Sequence, residues 1–278
     1  TTQTSRGNRT GTLLNDRMVW SIYEDRRKEL WIATHYNGLT RYNKRTGIYT
    51  FYPHSDQDPN SLSSTVVWTT FEDSRGRFWV GTAHGLNLMD RDRGTFKRYY
   101  AQPGKPRSLA NSSVLAIYED RSGRVWFGTD AGLHLYHQET DDFTVFDTRN
   151  GFVDHGIRAI IEDPSGNLWL GTNNGVVMFN PDSGLVRNYT SFNGEQIGGV
   201  ATGAAVATRR GEMAFGTRTG LYLFNANALL TNDKSPPVVL TDFRIFTRPV
   251  PIGGPDKILS KAINRTEQIT LDHTKIMI

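Results

Sequence analysis

The sequence contains no cysteine. That excludes disulfides, thiolate nucleophiles and cysteine-based metal sites, and it suits an oxidising compartment. No apolar run is long enough to span a bilayer, and no secretory leader pattern opens the chain, as expected of a mature or excised segment. Dense basic runs are also missing. The 32 lysines and arginines face 28 acidic residues, for a net charge of +4, and they are spread as on an ordinary solvated surface. Nucleic acid is therefore not an expected partner. There is no Gly-x-Ser-x-Gly elbow, no His-x-His and no i, i+4 histidine pair. No catalytic residue, metal or cofactor is expected on these grounds. What remains is a chain of 278 residues, 37% hydrophobic and 22% charged, large enough for a substantial core.

The dominant feature is a repeat. Glu-Asp is followed by Trp six residues after the Asp at Asp25/Trp31, Asp73/Trp79, Asp120/Trp126 and Asp163/Trp169, so the tryptophans recur every 43 to 48 residues. A fifth, weaker copy runs through Gly211-Glu212-Met213-Ala214-Phe215-Gly216-Thr217, with Ala214 at the tryptophan position. Helical repeats of this period exist, but Val114-Leu115-Ala116-Ile117-Tyr118 alternates with period two and is rich in strand formers. A Gly-bearing corner, Asp120-Arg121-Ser122-Gly123, leads to Val125-Trp126-Phe127. A Gly-Thr step (Gly128, Thr129) and Gly132 bracket a second loop before two more short strands. Four short antiparallel strands, repeated, describe a β-propeller blade.

The expected fold is all-β: a propeller of five recognisable four-stranded blades, either a closed five-bladed ring or part of a seven-bladed one, with a truncated Ig-like β segment after it. Residues 1–12 form a polar arm without apolar alternation, read as mobile or as a cut edge. Residues 13–235 hold the blades, near 13–60, 61–107, 108–150, 151–192 and 193–235, with residues 225–235 as the joint to the Ig-like segment. Blade one departs from the pattern at Lys28, in place of the corner glycine, and at Ala33, in place of the glycine before Thr34. Pro236-Pro237 breaks the periodicity, and residues 236–278 form the last segment, with strands expected at 238–246 and 268–271.

The units Ile117-Tyr118-Glu119-Asp120-Arg121-Ser122-Gly123-Arg124-Val125-Trp126-Phe127-Gly128-Thr129 and Glu162-Asp163-Pro164-Ser165-Gly166-Asn167-Leu168-Trp169-Leu170-Gly171-Thr172 resemble the two-component regulator propeller repeat. Pro236-Pro237-Val238-Val239-Leu240-Thr241-Asp242-Phe243 resembles the start of the Ig-like three-tyrosine domain that succeeds such propellers. The resemblance implies the non-catalytic, ligand-sensing extracytoplasmic (periplasmic) part of a bacterial inner-membrane receptor. It implies a histidine kinase or diguanylate cyclase output, membrane attachment only through flanking segments, and a homodimer in the full-length receptor. The alternatives are a propeller lyase or glycosidase acting on polysaccharide, and a self-association platform.

The corner aspartates are expected to stabilise turns, and the tryptophans to pack within and between blades. Candidate ligand-binding residues lie instead in loops on the face around the channel. Between second and third strands these are His35, Tyr36, Asn37, His84, Asp130, Asn173, Asn174 and Arg218. Before the inner strands they include Asp16, Arg17, Asp154, His155, Arg158, Glu195 and Gln196, of which Asp154, His155 and Arg158 are the candidates carried forward. Donors and acceptors of this kind point to a small polar ligand, with a saccharide among the candidates.

Overall fold

The computed structural model describes residues 2–3, 9–11, 14, 16–192, 195–208, 210–226, 242–245, 248–255, 258–266 and 268–271. Two compact units divide the chain, Thr1–Leu229 and Leu230–Ile278. The first begins with β1 (Thr2–Gln3) and β2 (Arg9–Gly11), and then blade one: β3 (Val19–Glu24), β4 (Leu30–Thr34), β5 (Leu39–Asn43) and β6 (Ile48–Tyr52). Blade two holds β7 (Val67–Glu72), β8 (Phe78–Thr82), β9 (Gly85–Asp90) and β10 (Thr95–Tyr99). Blade three holds β11 (Val114–Glu119), β12 (Val125–Thr129), β13 (Gly132–His137) and β14 (Asp142–Phe146). Blade four holds β15 (Ile157–Glu162), β16 (Leu168–Thr172), β17 (Gly175–Phe179) and β18 (Val186–Tyr189). A short hairpin, β19 (Ser191–Phe192) with β20 (Glu195–Gln196), precedes blade five: β21 (Val200–Ala207), β22 (Glu212–Thr217) and β23 (Leu221–Asn225).

Each blade is an antiparallel meander, and the inner strands β3, β7, β11, β15 and β21 pack on one another in that order. This is the propeller the repeat predicts. Two details differ from the sequence expectation. The polar arm is not a loose end: β2 pairs with β6 and adds β1 and β2 to the outer edge of blade one. Blade five has three strands, not four, among the described residues.

The Glu-Asp-to-Trp spacing has a direct physical cause. Each corner aspartate is buried, and one of its oxygens accepts the indole N–H of the tryptophan six residues on, at 2.8 to 2.9 Å in all four blades. The other oxygen accepts backbone N–H groups of the corner, as Asp120 Oδ1 does from Ser122 and Arg124, both at 3.0 Å. Buried backbone donors and a buried indole are thus satisfied by one carboxylate. The indole ring then packs on the next blade: Trp31 on Phe78, Trp79 on Phe127, Trp126 on Phe179 and Trp169 on Phe224, with ring centroids 4.5 to 6.1 Å apart. In blade one Lys28 occupies the corner glycine's place and adopts its left-handed backbone, with φ 63° against 77° at Gly123.

Two contacts fix the spacing between blades. The first is at the Gly-Thr step. A Cβ on Gly81, Gly128 or Gly171 would stand 2.6 Å from an atom of Val114, Ile157 or Val200, the residue that opens the next inner strand. The glycine is a notch and the β-branched residue its plug. The second contact is at the rim. The glutamate before the corner aspartate reaches back to the preceding corner: Glu72 Oε2 accepts from Arg26 N (2.8 Å), Glu119 Oε2 from Ser74 N (2.7 Å) and Glu162 Oε2 from Arg121 N (3.0 Å). Blade five has Ala207 where this glutamate would stand, and the donor position of blade four is Pro164, which has no N–H. Donor and acceptor are lost together.

In the second unit, β24 (Arg244–Ile245) pairs with β25 (Arg248–Pro249), and a 3-10 turn covers Ile263–Arg265. Of the strand expected at 238–246, only Arg244–Ile245 is extended and paired; 238–241 and 246 lie outside the described residues. Residues 268–271 form no strand, which corrects that expectation. The joint at 227–235, the Pro236-Pro237 segment and residues 272–278 also lie outside the described residues. Among the described residues, no helix is long and apolar enough to cross a membrane.

Candidate functional site at the channel mouth

Each inner strand of blades one to four carries a bulge one residue after it begins. Val19 faces Thr34 and Ser21 faces Ala33, with Trp20 skipped; the same shift skips Trp68, Leu115 and Arg158. In blade five the shift is longer, from Val200 to Ala205. A bulge re-aims the skipped side chain away from the pleat. Trp20, Trp68, Leu115 and Arg158 all line one cavity of about 820 Å³, with Ala201 and Thr202 of β21. The loops after the second strands add Asp130, Asn173 and Arg218.

Arg158 is the centre of the polar wall. Its Nε donates to Asn173 Oδ1, its Nη1 to Thr202 Oγ1 at 3.2 Å, and its Nη2 lies 3.9 Å from Asp130 Oδ1. Three blades therefore hold one guanidinium. Asn173 is itself held by Asp154, whose Oδ1 accepts from Asn173 Nδ2 at 3.3 Å and from Gly156 N at 2.7 Å. The loop has no room for side chains nearby: a Cβ on Gly156 would stand 2.2 Å from Asn173 Nδ2, and one on Gly199 2.8 Å from Asn173 O.

The opposite wall is aromatic. Trp20 meets Trp68 edge-on at 4.7 Å, and Trp20 Nε1 donates to His35 Nδ1 at 3.2 Å. Trp68 Nε1 is buried and has no hydrogen-bond partner. His35 packs against Tyr36 at 4.5 Å. Asp16 shapes this loop, accepting from the backbone N–H of Tyr36 and Asn37, both at 3.0 Å. Burial pushes its carboxyl pKa up, but these bonds and one from Met18 outweigh that and hold it below the usual value.

The structure brings Asp130, Arg158, Asn173 and Arg218 together in the cavity, with Asp154 behind Asn173, His35 beside Trp20 and Tyr36 packed on His35. It does not bring the others to the cavity lining. His84 packs on Tyr100 at 5.5 Å, Asn37 bonds Asp16, Asn174 caps its own loop through Thr172 Oγ1, and His155 does not line the cavity. Sequence reasoning missed Trp20, Trp68, Leu115 and Thr202. The available signal was the match of Trp20 and Trp68 one residue after the strand-opening valine.

Residues 13–36, 61–84, 108–131 and 151–174 match the family model described as "Two component regulator propeller". This chain carries two component regulator propeller repeats. A 59-residue stretch is 44% identical to Histidine kinase P4 of Formosa agariphila, over 21% of this chain and 4% of that protein. Among solved structures, an extracellular domain assigned to a hybrid two component system of B. thetaiotaomicron aligns with TM-score 0.63 and 23% identity, over 84% of this chain and 38% of that one. One assigned to a one component system of the same organism aligns with TM-score 0.60 and 22% identity, over 74% and 27%. Virginiamycin B lyase from Staphylococcus aureus aligns with TM-score 0.52 and 18% identity, over 78% and 73%. At these identities the solved structures establish the propeller fold alone. This chain spans 4% of the length of the kinase, and 38% and 27% of the two B. thetaiotaomicron domains.

Proposed function

We propose that this chain is the ligand-sensing, non-catalytic extracytoplasmic module of a bacterial membrane signalling receptor, of histidine kinase or diguanylate cyclase type, and that it binds a small polar ligand at the channel mouth. The periplasm is the compartment this reading implies. The observation that carries it is Arg158, a cation held by side chains of three blades at the edge of a cavity whose other wall is the Trp20–Trp68 pair. Aromatic faces opposite a preorganised donor suit a saccharide, whose apolar ring faces stack and whose hydroxyls hydrogen-bond. A ligand touching Arg158 and its neighbours changes how three blades are tied, which is the differential contact a conformational signal requires. The likeness to a lyase concerns the fold, and propellers carry many activities.

Thermal melts against a panel of neutral and uronate-bearing oligosaccharides test the reading. At least one member is expected to raise the Tm of the wild-type chain. Asn173→Ala combined with Arg218→Ala weakens that shift, and Arg158→Ala removes it. A shift of equal size in all three proteins places the ligand elsewhere.

A further inference from the structure

The crossings into blades two and three are built alike. A bridge joins His54 to Leu62 in the first and Ala101 to Leu109 in the second. In the first, Ser61 N donates to Asp58 O at 3.1 Å, and Ser61 Oγ donates to Asp58 O at 2.9 Å and Ser55 O at 3.1 Å. In the second, Ser108 N donates to Lys105 O at 3.1 Å, and Ser108 Oγ donates to Lys105 O at 2.9 Å and Gln102 O at 3.2 Å. The difference lies in the outer strand beside each loop. Arg98 of β10 lays its guanidinium in the first loop. Its Nε donates to Ser61 O at 2.7 Å, and its Nη2 to Asp58 O at 2.7 Å, Ser61 Oγ at 2.6 Å and Ser55 O at 3.4 Å. Val145 holds the same place in β14, opposite His134 of β13 as Arg98 is opposite Asn87 of β9. It is short and has no donor. A cavity of about 580 Å³ lies there, lined by Val145 together with Gln102, Lys105 and Ser108. Among the described residues, neither nearby arginine takes the role of Arg98. Asp147 holds Arg149 at 2.7 to 3.1 Å, and Asp142 holds Arg107.

We propose that this cavity binds the guanidinium group of arginine, free or within a peptide. Three carbonyl oxygens and a serine hydroxyl are the set that Arg98 satisfies one blade earlier, so the chain holds a worked copy of the complex. The lining has no carboxylate, which a hard divalent cation would take among its oxygens. An ammonium lacks the planar fork that meets several oxygens at once. Pro103, Pro106 and Val145 give the methylene stem an apolar wall. Lys105 stands where the first loop has Asp58, so a like charge opposes the ligand and keeps its binding weak.

Free arginine and a capped Gly-Arg-Gly peptide are titrated into the whole chain, with backbone amide signals read by NMR. Saturable shifts are expected at residues 102–109. The lysine counterpart of each probe should bind about tenfold more weakly. Val145→Arg supplies the guanidinium from within. It is expected to abolish the titration and to raise the Tm by about 2–4 °C. Lys105→Asp restores the charge of the first loop and should tighten binding about three- to fivefold. A tighter peptide marks a protein segment as the source, and tighter free arginine marks the amino acid. No saturable shift at 102–109, equal affinity for the lysine probes, or a titration that survives Val145→Arg overturns the proposal.

Discussion

Blade three and blade five share the meander of their first three strands and differ in chemistry. In blade three Asp120 ties the corner backbone to Trp126, and Trp126 packs toward Phe179 of blade four. In blade five Thr208 Oγ1 takes over the corner, accepting from Arg210 N at 3.3 Å and Glu212 N at 3.1 Å, and Ala214 replaces the tryptophan. The aromatic mass moves to the third strand. Phe224 stacks on Phe215, lies 5.1 Å from Phe192 and receives Trp169 of blade four at 5.0 Å. A sheet at the end of the array keeps its corner bonds and its apolar contact with the neighbour before it. The indole-to-carboxylate tie is absent there, as is the rim glutamate. The backbone requirement is therefore fixed by the hairpin, while the side chain that fills the space between blades can come from more than one strand.

The largest effect should come from removing the aromatic anchor in each blade. Trp126→Ala leaves a buried void and removes one of the two side-chain donors to Asp120 Oδ2, Arg124 Nε remaining, and should cost about 3–5 kcal/mol in urea unfolding. Phe224→Ala should cost a similar amount if it replaces the missing tryptophan. A loss under about 1 kcal/mol there would break the equivalence between the two blades.

A smaller effect is confined to blade three. His134 is buried with Nε2 accepting from Ala110 N at 2.9 Å, and burial lowers its pKa from 6.5 to about 4. Between those pH values the unfolded chain binds a proton that the folded chain refuses. The stability contribution is intact above pH 6.5 and falls away as pH drops toward 4, by about 3 kcal/mol in all. Blade two shows the cure: Asn87, at the same place in its strand, accepts from Ser63 N at 3.0 Å. His134→Asn should flatten stability between pH 6.5 and 4, measured by denaturant midpoint at several pH values. An unaltered slope would show that another group governs that window.

The smallest effect lies in blade one. Lys28 bears the steric cost of a left-handed backbone at a place where Gly76, Gly123 and Gly166 have open space or only distant neighbours around them. Lys28→Gly should stabilise the chain by about 0.5–1 kcal/mol, the strain relieved being partly offset by the added freedom of glycine in the unfolded state. A fall in Tm would mean that the Lys28–Glu24 pair matters more than the corner geometry.

Much of the fold was legible because the repeat states its own chemistry. Asp-to-Trp spacing, the Gly-Thr step and period-two alternation are local signals, and they recur. The site was half legible. Asp130, Asn173 and Arg218 are implied by loop position, and Arg158 was reached as a residue near the start of an inner strand. Trp20, Trp68 and Leu115 were hidden because a bulge breaks the alternation that sequence reading depends on, so a channel residue looks like a core one. The role of the rim glutamates was illegible within any single copy, since each one's partner lies in the blade before it. The strand pairing of Arg9–Gly11 with Tyr49–Phe51 left no apolar pattern to find.

The bulge turns a single side chain per blade out of the sheet's alternation and toward one shared cavity, so tryptophan, leucine and arginine can stand at one position on four otherwise similar scaffolds. Recognition can be rewritten there, one spoke at a time, while the hub that carries it stays as it is.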